Sequence, residues 1–187
     1  MIDKNKMIAV TNRSNGRVLY SLKDSGVHRT FTGGETKQIS FDELEKLSWE
    51  EGGRALLKNS LVIQDEEAAI ELLGDVEPEY FYTKEIVDKL LTEGTLDQLK
   101  DTLEFGPKGV QDLVKEEAVN IQVNNVAMRD EIKKQTNFDV SRAIELNKND
   151  EISSTSAANG KRRSAPIAAT NLKSDTSRVG SNYKIVK

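Results

Sequence analysis

The apolar residues of this chain change their period at Ser40, and that switch constrains the fold more than any other feature. Before it, Ile8 and Val10, then Val18 and Tyr20, alternate with Ala9, Thr11, Leu19 and Ser21, the period-two pattern of half-buried strands. Asn15-Gly16 between the two runs predicts a hairpin, because both residues tolerate positive φ. Asp24-Ser25-Gly26 and Gly33-Gly34 predict two further reversals around "VHRTF" and "ETKQISF". From Ser40 the spacing is helical. Ser40 and Glu43 have the spacing of a capping box ahead of Leu44 and Leu47, and Gly52-Gly53 predicts the end of that helix. "ALLKNSLVIQD" then predicts a return to the sheet through Leu61 and Ile63.

Beyond Asp65 the pattern is one of short helices with their own start and stop signals. Asp65 predicts a cap for "EEAAIELLG", Thr83 for "KEIVDKLLTEG", Asn125 for "VAMRDEIKKQTN" and Asp139 for "VSRAIELNK". Thr95 and Gln98 have capping-box spacing, and Pro107 sits where a first helical position would be. "VEPEYFY" reads as an extended connector, since Pro78 biases Glu77 away from helical backbone, and "AVNIQVNN" reads as a second extended piece. Such helices are too short to be stable alone and must gain stability by packing. Phe105, Val126, Ile132, Phe138, Val140 and Ile144 are the residues expected to point inward. The fold class is therefore α+β: a small antiparallel sheet, a cluster of short helices, and an extended C-terminal tail. The expected division is a β-rich part with one helix at 1–64, a helical part at 65–147, and a tail at 148–187 that is disordered when free.

The tail is set apart by charge. Residues 1–146 hold 19 Lys+Arg against 28 Asp+Glu, whereas residues 147–187 hold 8 against 3, so an acidic body carries a basic tail. Its apolar residues occur singly and cannot offset the entropy of ordering. Lys161, Arg162 and Arg163 are the candidate nucleic-acid contact, able to neutralise a few phosphates without reading sequence. No aromatic residue is interleaved with them for base stacking. The last six residues, "NYKIVK", differ. Tyr183 and Ile185 alternate with Lys184 and Val186, so Tyr183, Ile185 and Val186 are candidate partner-binding residues of a strand that adds to another sheet edge.

No pattern points to catalysis, a cofactor or a metal. Cysteine is absent and His28 is the single histidine, which leaves zinc without its preferred ligands. No nucleophile or partner acid stands in a recognisable motif beside His28. The carboxylates Asp42, Glu43, Asp65, Glu66 and Glu67 fall at helix starts, where the helix dipole favours them. "FTGGETK" lacks the order of a phosphate loop and leads into a strand, so a turn is expected. "KKQTNFDVSRAIE" resembles two helices of a DNA reader in outline, but offers only Arg142 on the early turns of its second helix. No apolar run approaches the ~20 residues of a membrane span, and "MIDKNKMIAV" has no signal-peptide h-region. A non-enzymatic protein made in the cytoplasm is expected.

The phrases "VTNRSNGRVLYSL", "GGETKQISFDELEKL", "FGPKGVQDLVKEEAV" and "MRDEIKKQTNFDVSRAIE", across roughly residues 6–146, resemble small proteins encoded among the structural genes of tailed bacteriophages. The resemblance implies a virion-associated structural protein of the capsid or head, partnered by capsid or other virion proteins and further copies of itself. It carries over no binding residue. With it, the tail reads as an anchoring arm. The alternative expectation is a soluble regulatory or nucleic-acid-associated module that uses the basic tail.

Overall fold

The computed structural model describes residues 2–23 and 25–159. Among the described residues it is α+β, with two small antiparallel sheets, two helices set between strands of the first sheet, and the remaining helices after them. Strand β1 (Met7–Asn12) lies at the centre of a three-stranded sheet between β4 (Thr36–Ser40) and β5 (Leu61–Ile63). The registers bring Val10 opposite both Lys37 and Ile63. Strands β2 (Val18–Leu22) and β3 (Val27–Phe31) form a separate two-stranded hairpin. Its turn includes Gly26 at φ +63°, a left-handed conformation that suits glycine.

The Asn15-Gly16 hairpin expectation is thereby corrected. Strands β1 and β2 do not pair, because the fully buried Asn12 side chain reorganises the loop between them. Its Nδ2 donates to the Gly16 carbonyl at 2.8 Å and the Thr32 carbonyl at 2.9 Å. Its Oδ1 accepts from the Ser14 N–H and hydroxyl. A side chain that satisfies local backbone in this way competes with a ladder, and the chain leaves the first sheet to begin the second.

Helix α1 (Phe41–Trp49) is capped by Ser40, whose side chain accepts from the Glu43 N–H. The reciprocal half of the expected capping box is missing because the Glu43 carboxylate is engaged elsewhere. Gly52 takes φ +79° and the chain starts α2 (Gly53–Asn59) at once, so the glycine pair joins two helices and "ALLKN" is helical rather than part of a strand. Helix α3 (Glu66–Leu73), capped by Asp65, follows β5, and a 3-10 turn at Pro78–Phe81 replaces the expected extended connector. One core joins both sheets with α1, α2 and α3 and reaches Tyr80. Its members Val10, Phe31, Leu44, Leu57, Leu61 and Ile63 are fully buried.

A second core runs from Val87 to Ile144. It is built from α4 (Lys84–Glu93), α5 (Leu96–Phe105), α6 (Lys108–Asn120), α7 (Val126–Thr136) and α8 (Val140–Asn159). Thr95 and Gln98 make both halves of their capping box. Thr83 stands at the start of α4 without a side-chain capping bond, while Asn125 caps α7 and Asp139 accepts from the Arg142 N–H. Helix α6 continues through Asn120, so the "AVN" of the expected extended piece is helical, and Gln122 at φ +50° makes the reversal. Ile132, Val140 and Ile144 are buried and Phe138 is partly so, but Phe105 and Val126 lie outside the core and are exposed. Helix α8 extends to Asn159, so the first residues of the expected extended tail are helical. Once the capped and buried first turns exist, each added residue costs little. The two cores meet where Gly109 of α6 lies against the Asn59 carbonyl at the end of α2.

Candidate functional site

Helix α1 buries Phe41, Leu44 and Leu47 on one side, and its final residue, Trp49, leaves that stripe. Trp49 is 83% exposed and is the single tryptophan of the chain. It separates two clefts. One, of about 260 Å³, is lined by Phe41, Glu45, Ser48, Arg54 and Leu72; the other, of about 340 Å³, by Leu22, Ser25, Lys46 and Glu50. A tryptophan buries about 150–250 Å² when covered and is enriched among the residues that dominate protein interfaces. Here the ring stands on the last residue of α1, where a partner covering it would bury most of its surface.

Beneath this surface, the Glu43 carboxylate ties α1 to the second sheet. It accepts from the Tyr20 hydroxyl at 2.6 Å and from Arg29 Nε and Nη2 at 2.9 and 2.8 Å. The Arg29 hydrogen bonds hold the Glu43 carboxyl below its ordinary value against the opposing effect of burial. Burial, reinforced by Glu43, pushes the Tyr20 phenol up.

A second polar centre bridges the cores. Glu117 of α6 is 1% exposed and its Oε1 accepts from Asn15 Nδ2 at 2.6 Å, Lys84 Nζ at 2.9 Å and Asn120 Nδ2 at 3.2 Å. Burial works against its charge, but these donors prevail and hold the carboxyl below its ordinary value. Neighbouring Asp88 has its carboxyl pushed up, first by burial and then by the Glu117 charge. Its Oδ1 is buried without a hydrogen-bond partner.

A third centre surrounds Arg13, which is 2% exposed. Its Nη2 donates to the Tyr80 carbonyl at 2.8 Å and its guanidinium carbon lies 5.1 Å from the Tyr80 ring centre. The Tyr80 hydroxyl accepts from the Ile63 N–H at 3.0 Å and lies 3.0 Å from the Leu57 carbonyl. Arg13 thus clamps β1 to the 3-10 turn at the edge of the first core.

The residues singled out in the sequence fall elsewhere. Lys161, Arg162, Arg163, Tyr183, Ile185 and Val186 lie outside the described residues, as does the tail beyond Asn159. His28 is exposed on β3 opposite Ser21 of β2. "FTGGETK" is a turn between β3 and β4, with Gly34 at φ +71°. Among the described residues no helix is long and apolar enough to cross a membrane. Trp49 had a visible signal, a lone tryptophan displaced from the Leu44–Leu47 stripe. Arg13 had none, since its burial depends on Tyr80, far away in sequence. No family of known proteins matches the chain, and neither a curated protein nor a solved structure resembles it significantly.

Proposed function

We propose that this chain is a non-enzymatic structural protein of a bacteriophage virion, associated with the capsid or head and binding the major capsid protein, with its C-terminal tail as an anchoring arm. The carrying observation is Trp49, presented at 83% exposure between two clefts at the end of α1. A large ring so placed gains most of its favourable burial on docking. The virion assignment is carried forward from the sequence phrases of residues 6–146 alone, and the alternating apolar residues of "NYKIVK" suit strand addition to a capsid subunit. Repetition of weak contacts over a lattice gives firm attachment.

The test is mass spectrometry of purified particles made with the wild-type chain, Trp49→Ala, and a chain truncated after residue 159. The wild type is expected at stoichiometric copy number. Trp49→Ala is expected to keep the wild-type melting temperature, because so exposed a side chain adds within ~0.5 kcal/mol to stability, yet to lose incorporation. Truncation is expected to lower it as well. Absence of the wild-type chain from particles refutes the virion assignment. Full incorporation of Trp49→Ala refutes the docking surface, and full incorporation of the truncated chain refutes the anchor.

A further inference from the structure

The two edges of the three-stranded sheet are finished differently. At β5 the edge is stoppered by Tyr80, whose hydroxyl accepts from the Ile63 N–H at 3.0 Å and lies 3.2 Å from the Leu61 carbonyl. At β4 the backbone is bare. The Asn12 N–H donates to the Glu35 carbonyl and the Phe41 N–H to the Lys6 carbonyl, which fixes the alternation of bonds along the register of β1 and β4. Lys37 and Ile39 turn their backbone groups toward β1, whereas Thr36, Gln38 and Ser40 turn theirs away. Among the described residues nothing bonds the Gln38 N–H and carbonyl, the Thr36 carbonyl or the Ser40 N–H on that side. Backbone groups left unpaired in this way are rarely buried, and the side chains agree. Thr36 and Gln38 are exposed, as is Met7, opposite Ser40 on the same face of the sheet.

An open edge is a template for another strand, and folded proteins blunt such edges with free lysines, prolines, bulges or a covering segment. Strand β4 carries none of these among the described residues. Its pairing with β1 runs without a bulge from Thr36 to Ser40, and "TKQIS" contains no proline. Its one lysine, Lys37, is not free: its ammonium is held by the Thr30 carbonyl at 2.6 Å and by the Glu35 carboxylate at 3.2 Å. The residues whose backbone faces outward are all uncharged. Laid antiparallel about Gln38, the strand also complements itself. Gln38 stands opposite Gln38 and Thr36 opposite Ser40, so amide meets amide, hydroxyl meets hydroxyl, and no two like charges are brought face to face.

We propose that the β4 edge is a self-association surface, on which a second copy of this chain adds its own β4 antiparallel across a two-fold axis and joins the two sheets into one. Gln38 of each copy exchanges both backbone hydrogen bonds with Gln38 of the other, and each Ser40 N–H meets a Thr36 carbonyl. A two-fold contact of this kind uses the same patch on both copies and closes on itself, so association stops at a dimer. The strand is short and buries far less than the ~1,600 Å² of a standard interface, so the dimer is weak and depends on concentration. The inference stands apart from the virion reading, which rests on Trp49 and the tail.

Sedimentation velocity of the full-length chain, from low micromolar to millimolar concentration, reads the association directly. A reversible monomer–dimer equilibrium is expected. Gln38→Pro removes an outward N–H and leaves the β1 ladder intact, and is expected to weaken the dimer by about 10-fold or more. Gln38→Lys and Gln38→Glu change an exposed side chain and should keep the wild-type melting temperature. Each alone sets like charges opposite one another and is expected to weaken the dimer by about 2- to 5-fold. Mixed in equal amounts, the two variants should recover association, because opposite charges then face across the axis. That recovery requires position 38 to meet itself, and it decides the matter if Gln38→Pro does not fold. A chain truncated after residue 159 should dimerise like the wild type; loss of the dimer there would assign association to the tail and overturn the pairing of β4 with β4. The inference is equally overturned if the wild type stays monomeric at every concentration. It also fails if a folded Gln38→Pro dimerises like the wild type, or if the mixed charge variants associate no better than either alone.

Discussion

Glu43→Gln isolates the charge of the Tyr20–Glu43–Arg29 network while keeping its volume. Glu43 is 8% exposed and accepts three hydrogen bonds, two of them from a guanidinium. An amide offers one acceptor oxygen in place of two and turns an NH₂ group toward donors. Hydrogen bonds to charged groups contribute about 1.5–3 kcal/mol each. The Arg29 side chain is 41% exposed and recovers hydration when released, which discounts its share. The loss then rests mainly on the buried Tyr20 hydroxyl and amounts to about 2 kcal/mol, or ~4–8 °C for a domain of this size. Urea unfolding should show a lower midpoint with an unchanged slope, since the surface exposed on unfolding is the same. Tyr20→Phe removes one donor and leaves the ion pair, so about 1 kcal/mol is expected. The pH dependence gives an independent check. The folded-state carboxyl is depressed from 4.5 by the Arg29 hydrogen bonds. Its contribution is therefore complete above pH 4.5 and is lost as the pH falls through the lower folded value. The gap between wild type and Glu43→Gln should close in acid. A Glu43→Gln variant within ~0.5 kcal/mol of wild type at pH 7, or less affected than Tyr20→Phe, would refute the reasoning.

Asp88 has the opposite sign. Its carboxyl is raised by burial and by Glu117, so ionisation at neutral pH opposes folding. Asp88→Asn should raise the melting temperature at pH 7, and the gain should shrink as the pH falls through the raised value and vanish below 3.8, where the wild-type carboxyl is protonated in both states. At the seam between the cores, a Cβ on Gly109 would stand 1.7 Å from the Asn59 carbonyl oxygen, which is backbone and cannot step aside. Gly109→Ala should cost more than ~2 kcal/mol and expose amides of α2 and α6 to hydrogen exchange; a variant as stable as wild type would show that the helices do not approach so closely.

The sequence by itself determined the local choices. The change of period at Ser40, the caps at Asp65, Thr95 and Asn125 and the turn at Gly33-Gly34 are all written in residues within a few positions of one another, which is the range over which capping and turn chemistry acts. Tertiary structure decided which strands pair. Asn15-Gly16 had the local chemistry of a hairpin, yet Asn12 reaches to Thr32 and sends β2 into a second sheet. It also decided burial at similar residues: Ile132 and Phe105 both sit in helical patterns, but only Ile132 meets a partner face. The candidate sites divide in the same way. Trp49 was not singled out from the sequence, although its signal, a lone aromatic off its helix stripe, is local; Arg13 became a buried, unpaired cation only when a turn 67 residues away closed over it. A capping residue meets its target along the chain, but a charge's surroundings are set by whatever folds against it.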